Sequence, residues 1–213
     1  MSTQLNHEHR FEPGDDGAIT LLLLHGTGGD ESDLLPLGRA LAPDANLLSP
    51  RGNVIENGMP RFFRRLAMGV FDVEDLERRT HELAEFVSNA AKLYGLDPTP
   101  VVPVGFSNGA NIGASLLLRH PGLVRGALLL KAMIPFEPDD PPHLAGTSVF
   151  VSAGRSDEMI SPDLAERLMD LLEEAGAEVT RHWEPGGHGL TSTEVAAAKR
   201  WLDCFLSSPP TAA

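Results

Sequence analysis

The chain has 213 residues, 42% hydrophobic and 22% charged, with a formal net charge of −13. That length suits one α/β domain with a real core, while the acidic balance argues against phosphate backbones and anionic membranes as partners. The single cysteine, Cys204, excludes an internal disulfide and reads as a small helix residue; no leader or membrane-length apolar run is visible, so a cytoplasmic protein is expected.

In chain order, a weak edge strand is expected at 10–12, then strands at 19–24, 47–49, 101–105, 126–130, 148–152 and 178–183. Several are unbroken apolar runs, the pattern of strands buried on both faces of a parallel sheet. A helix is expected over 75–94, where Leu76, Leu83, Ala84, Val87, Ala91 and Tyr94 share a face, and another after Ser107. A third is expected over 163–175, with Ser161 as N-cap and Pro162 in the first turn. The last helix opens on Thr191 and Glu194, spaced as a capping box. The proline-rich stretch 135–146 reads as a loop and 207–213 as a frayed tail. With no interior linker, the expectation is a single α/β domain over 1–213. Its central sheet is mostly parallel, flanked by helices and joined by right-handed crossovers. Chemistry in such sheets gathers beyond the carboxyl ends of the strands.

The residues just past four strands carry reactive groups. After 101–105, Gly105-Phe106-Ser107-Asn108-Gly109 matches G-x-S-x-G in a strand–turn–helix setting, which raises a serine oxygen above the sheet and aims the Asn108 N–H at the reaction centre. The plainer reading of Ser107 is a helix N-cap. After 19–24 comes HGTGGDES, where the backbone N–H of Thr27 could join that of Asn108 in an oxyanion hole and His25 would brace the loop; a simple glycine turn is the alternative. After 148–152, Asp157 is the candidate carboxylate, with Glu158 its rival, while Asp139 and Asp140 look solvated. After 178–183, His188 in a glycine-rich loop is the candidate general base; His182 falls within the strand and reads as structural. Serine, then aspartate, then histidine is the hydrolase order.

With LLLHGTGGDESDLLPLGRAL, GFSNGANIG, AGRSDEMIS and GGHGLT spread over nearly the whole chain, the sequence resembles the α/β-hydrolase superfamily. Within it, the chain is most similar to the phospholipase/carboxylesterase family that includes acyl-protein thioesterases. The resemblance implies a small esterase with little or no lid, no metal and no cofactor, and leaves room for a homodimer. It carries over Ser107, Asp157 and His188 as a catalytic triad, and the N–H groups of Thr27 and Asn108 as the oxyanion hole. Acyl-protein thioesterases usually have glutamine in place of Asn108 and lack RGNVIENGMPRFFRRL. That stretch resembles bacterial hydrolases encoded in methylhydroquinone-resistance operons, and it weakens the case for a protein or long-chain lipid substrate.

The segment 51–76 carries Arg51, Arg61, Arg64 and Arg65 beside Phe62, Phe63 and Phe71. Two readings stand. The arginines pair with nearby acids and the aromatics pack; or Phe62 or Phe63 lines an apolar pocket while Arg61 or Arg64 binds a substrate carboxylate. Met133 and Met159 are further candidates for apolar walls; Lys131 has no assigned place. The function expected is cleavage of small carboxylic esters through an acyl-enzyme. Dienelactone-hydrolase-like or thioesterase activity is the enzymatic alternative, and a non-catalytic small-molecule sensor the alternative of another class. The partner expected is a small ester, with neither nucleic acid nor membrane.

Overall fold

The run TLLLL at 20–24 decides the architecture, because every residue in it is buried. Side chains alternate along a strand, so Leu22 and Leu24 join one apolar cluster while Leu21 and Leu23 join another. A strand apolar at every position needs a helical layer on each face.

The computed structural model describes residues 5–67, 69–96, 101–140 and 142–207. In chain order these form β1 (His9–Glu12), β2 (Thr20–Leu24), α1 (Leu35–Leu41), β3 (Asn46–Pro50), β4 (Val54–Glu56), β5 (Met59–Arg61), β6 (Arg65–Ala67), β7 (Val70–Phe71) and α2 (Val73–Tyr94). They continue with β8 (Val101–Phe106), α3 (Asn108–Arg119), β9 (Gly126–Leu130), β10 (Ser148–Gly154), α4 (Pro162–Glu174), β11 (Glu178–Glu184) and α5 (Ser192–Ser207). Seven strands build the central sheet in the order β1-β3-β2-β8-β9-β10-β11. All neighbours are parallel except β1, which runs antiparallel to β3 at the edge. From β2 the chain steps outward to β3 and later returns to lay β8 on β2's other side. The strand order therefore reverses between β2 and β8, where sheets of this kind place their ligand crevice.

Leu76, Leu83, Phe86 and Val87 of α2, Ile112 and Leu116 of α3, and Leu168 and Leu172 of α4 pack with Leu22 and Leu24. On the opposite face Leu41 of α1 and Ala198 and Leu202 of α5 pack with Leu21, Leu23, Val104 and Leu128. The helices end where their terminal residues allow. Asp72 caps α2 by accepting from the Asp75 N–H, and Gly95 closes it in the left-handed conformation at φ 63°. The Thr191–Glu194 capping box forms in both directions, at 3.1 and 3.3 Å. Ser161 stands at the N-cap of α4 with Pro162 behind it, but its side chain makes no capping bond.

The six expected main strands and the weak edge strand all occur, most of them extended by a residue or two. Helix α1 and the β4–β5 and β6–β7 hairpins were not foreseen. Residues 208–213 of the expected tail lie outside the described residues. Among the described residues, no helix is long and apolar enough to cross a membrane.

Candidate active site

Strand β8 ends in a turn that forces Ser107 to φ 53° and ψ −113°, a conformation that L-residues avoid. Holding a residue there costs about 1–3 kcal/mol, so the surroundings must impose it. The flanking glycines show how. A Cβ on Gly105 would stand 2.6 Å from the Ala110 backbone, and one on Gly109 would stand 2.0 Å from the Leu24 carbonyl oxygen. The Ser107 N–H donates to the Leu130 carbonyl at 2.9 Å, and its carbonyl accepts the Asn111 N–H at 2.9 Å. The side chain is left to project past the sheet at the mouth of the crevice.

Loops after β10 and β11 meet that serine. His188 Nε2 lies 2.8 Å from Ser107 Oγ, and its Nδ1 lies 2.8 Å from Asp157 Oδ2. The other carboxylate oxygen of Asp157 accepts the N–H groups of Met159 at 2.8 Å and Ile160 at 3.1 Å. Three hydrogen bonds to one buried carboxyl group fix its rotamer. The two loops are clipped together by the Arg155 N–H on the Glu184 carbonyl and the Ser156 N–H on the Gly186 carbonyl. Glu158 is exposed, as are Asp139 and Asp140. His182 lies in β11 and pairs with Glu184 at 2.7 Å.

The turn after β2 supplies the opposite rim. Among the described residues the N–H groups of Thr27 and Asn108 have no acceptor, and both residues line the cleft beside Ser107 and His188. His25 braces this turn. Its Nδ1–H donates to the Gly26 carbonyl at 2.7 Å and its Nε2 accepts the Gly52 N–H at 3.0 Å. Burial pushes its pKa down, so it stays neutral with the proton on Nδ1.

The segment 51–62 folds over this rim and is tied to it at four points. Gly52 bonds to His25, the Gly28 N–H donates to the Pro60 carbonyl at 2.9 Å, Arg61 Nη1 donates to Thr27 Oγ1 at 2.6 Å, and the Phe62 N–H donates to Asn108 Oδ1 at 2.8 Å. The last bond orients the Asn108 amide and leaves its buried Nδ2 without a hydrogen-bond partner.

The cleft is open to solvent and is lined by the apolar side chains of Phe71, Met133, Met159 and Ile160 and by the polar ones of Arg61, Arg65 and Asn111. Arg61, Met133 and Met159 thus border it, as the sequence suggested. Three other candidates do not. Phe62 and Phe63 are buried in the core, against His25 and Phe71 respectively, because the turn out of β5 points both rings inward. Arg64 faces outward, its guanidinium 2.9 Å from Asp72 and 3.8 Å from Asp75. Phe71, Ile160, Asn111 and Arg65 were not singled out as lining residues. All four reach the cleft through tertiary packing, which leaves no local pattern in the sequence.

Lys131 also finds its place. It follows β9 at φ 55° with its Nζ 3.2 Å from Glu194 Oε1, both side chains wholly buried. The contact is ionic, since no well-angled hydrogen bond to Nζ accompanies it. Glu194 also accepts from Ser152 Oγ and closes the capping box of α5, directly behind the His188 loop. Removing one partner of such a pair strands a buried charge. Lys131→Met is therefore expected to cost about 3–5 kcal/mol in urea unfolding. Most of that loss should return in Lys131→Met/Glu194→Gln; a single variant within about 1 kcal/mol of wild type would contradict the pairing.

Comparison with known proteins identifies the family. A family model described as phospholipase/carboxylesterase matches residues 6–206. The chain belongs to the phospholipase/carboxylesterase family. Within that family it is 46% identical over 194 residues to MhqD of Bacillus subtilis (strain 168), which carries the name of a hydrolase; the match covers 91% of this chain and 96% of MhqD. A Bacillus cereus carboxylesterase shares 52% identity and superposes with a TM-score of 0.91, covering 93% of this chain and 94% of that one. YahD, whose structure was determined with malic acid, shares 32% identity at a TM-score of 0.87, covering 92% of this chain and 98% of its own. The chain is accordingly a carboxylesterase-family hydrolase with an α/β-hydrolase fold.

Proposed function

We propose that this hydrolase cleaves small carboxylic esters with Ser107 as nucleophile, His188 as general base and acid, and Asp157 as the carboxylate that orients His188. With Nδ1–H donated to Asp157, His188 Nε2 is free to accept the Ser107 proton as Oγ attacks the ester carbonyl. The N–H groups of Thr27 and Asn108 stabilise the oxyanion of the tetrahedral intermediate. His188 then returns the proton to the departing alcohol, leaving an acyl-serine. Water repeats the sequence, giving its proton to His188 and releasing the acid as Ser107 recovers its own. Thioesters pass through the same intermediate; amides have a harder leaving group to expel.

The observation that supports this most directly is the pair of 2.8 Å contacts on either side of the His188 ring, made to a serine held at φ 53°. The short apolar lining of Phe71, Met133, Met159 and Ile160 beside Ser107 suits a small substrate. YahD's capture with malic acid, a small polar acid, agrees with that scale.

A fluorophosphonate probe tests the assignment. Peptide mass spectrometry should locate the adduct on Ser107 in wild type, with labelling strongly slowed in His188→Ala. An adduct elsewhere, or none, would favour a non-catalytic sensor on the same fold.

A further inference from the structure

In Gly26-Thr27-Gly28-Gly29, the turn that carries the candidate oxyanion donor of Thr27, only Thr27 has a side chain. Glycines on both sides leave such a backbone free to swing, so the aim of the Thr27 N–H depends on what holds the turn. The Gly26 carbonyl accepts from His25 Nδ1 at 2.7 Å and from the Gly29 N–H at 3.1 Å. In a planar trans peptide the N–H points away from the carbonyl, so these bonds direct the Thr27 N–H to the opposite side. Gly28, at φ 86°, donates its N–H to the Pro60 carbonyl at 2.9 Å. Arg61 Nη1 donates to Thr27 Oγ1 at 2.6 Å and so grips the turn by its single side chain.

Arg61 itself is held still. It is 3% exposed, its Nε donates to the Phe63 carbonyl at 3.2 Å and lies 3.6 Å from Glu56 Oε2, and its guanidinium carbon stands 5.9 Å from the centre of the Phe63 ring. A planar guanidinium anchored at Nε has little freedom left at Nη1. Its bond to the hydroxyl is charge-assisted, and so stronger than a neutral one. Burying a cation is costly where an apolar residue could fill the same space, so its place beside the cleft asks for a role.

We propose that Arg61 is a positioning residue for the oxyanion hole: it holds Thr27 by its hydroxyl and so keeps the Thr27 N–H on the developing oxyanion. The inference rests on the esterase reading and adds a residue to its machinery. Donors fixed beforehand need no reorganisation at the moment of reaction, which is what makes them effective. A turn of glycines cannot supply that rigidity itself. The hairpin strand β5, which ends on Arg61, supplies it from outside.

Arg61→Met and Thr27→Val remove the same bond from its two ends. On 4-nitrophenyl acetate each should lower kcat and kcat/KM alike, by about tenfold or more but short of the roughly 10²–10³ that loss of a whole donor brings. Because one bond is broken either way, Arg61→Met/Thr27→Val should cost little more than either single variant. The direct readout uses 1,1,1-trifluoro-4-phenylbutan-2-one. Ser107 Oγ adds to its carbonyl carbon, the carbonyl π pair becomes an oxyanion, and the Ser107 proton passes to His188. The ¹⁹F shift of this adduct, followed against pH, gives the pKa of the hemiketal hydroxyl. A tenfold weaker oxyanion site should raise that pKa by about one in each variant; packing damage away from the turn would leave it where it was. Thr27→Val keeps the test open even if Arg61→Met does not fold, since Thr27 is the less buried partner. A hemiketal pKa unmoved in Thr27→Val, or losses that multiply in the double variant, overturns the inference and leaves the esterase reading standing. A wild type that neither cleaves esters nor forms the adduct would instead remove the esterase reading, and this inference with it.

Discussion

Replacing Ser107 with alanine is expected to lower kcat on a small aryl ester by about 10⁶. The size follows if the three side chains act as one unit, as proposed. Without Oγ there is no nucleophile, and the His188 base has no proton to take. The remaining groups, chiefly the N–H pair of Thr27 and Asn108, would still bind and polarise the carbonyl; such residual catalysis is worth roughly 10³–10⁴ over water. For the same reason the effects should not add. His188→Ala alone should cost about as much as Ser107→Ala, and the double variant little more than either. Alanine at 107 must still adopt φ 53°, so the fold loses no contact beyond the bond to His188 and stability should change little. Steady-state rates on the wild type, both single variants and the double variant check this. A Ser107→Ala rate within about a hundredfold of wild type would remove Ser107 as nucleophile, because one oxyanion donor alone accounts for an effect of that size.

Thr27, Ser107 and Asp157 could be read from sequence because each lies a few residues beyond a strand with a strong apolar signature, whereas β11 before His188 is only partly buried. β2, β8, β9 and β10 are buried at nearly every position. Their carboxyl ends therefore could be placed, and with them Thr27, Ser107 and Asp157. The segment 51–71 is different. Its strands are two or three residues long, too short for a periodicity of two to emerge. One signal was present: Asn57-Gly58 adopts φ 52° and 78°, the pair of positive values a two-residue hairpin turn requires, and Asn-Gly is its usual sequence. The aromatic pair Phe62-Phe63 misled because composition does not reveal direction. Adjacent residues in a bend can both face the core when their backbone is tethered, as the Phe62 N–H is by Asn108.

Asn108 also accounts for the departure from the thioesterase pattern. In this chain its side-chain oxygen accepts from Phe62, within a stretch that acyl-protein thioesterases lack. The shorter amide is fitted to a backbone that crosses close to the elbow. That same stretch brings Arg61 and Arg65 to the cleft, so Asn108 and this part of the cleft lining belong to one structural unit. The buried pair Lys131–Glu194 secures the opposite side, fastening the start of α5 behind the His188 loop to the end of β9, whose last carbonyl holds Ser107.

Asp157→Asn is expected to lower kcat by roughly 10⁴ while leaving the fold intact, and the reason can be traced atom by atom. Oδ1 of Asp157 accepts two backbone N–H groups, from Met159 and Ile160. An asparagine at this position must keep its carbonyl oxygen there, since turning the amide would set its NH₂ against two donors. The NH₂ is then directed at His188 Nδ1, which must become an acceptor, and the imidazole proton moves to Nε2. In that tautomer Nε2 points a hydrogen at Ser107 Oγ instead of a lone pair, and the base is disabled with its geometry unchanged. Asp157→Ala has no such amide and leaves the tautomer free, so it should retain more activity than the nearly isosteric asparagine variant. The ranking is opposite to what size or packing would give. Rates on the two variants, with ¹⁵N chemical shifts of the His188 ring to report the proton's position, decide it. If Asp157→Asn keeps its proton on Nδ1, or works within about tenfold of wild type, Asp157 does not set the state of the base.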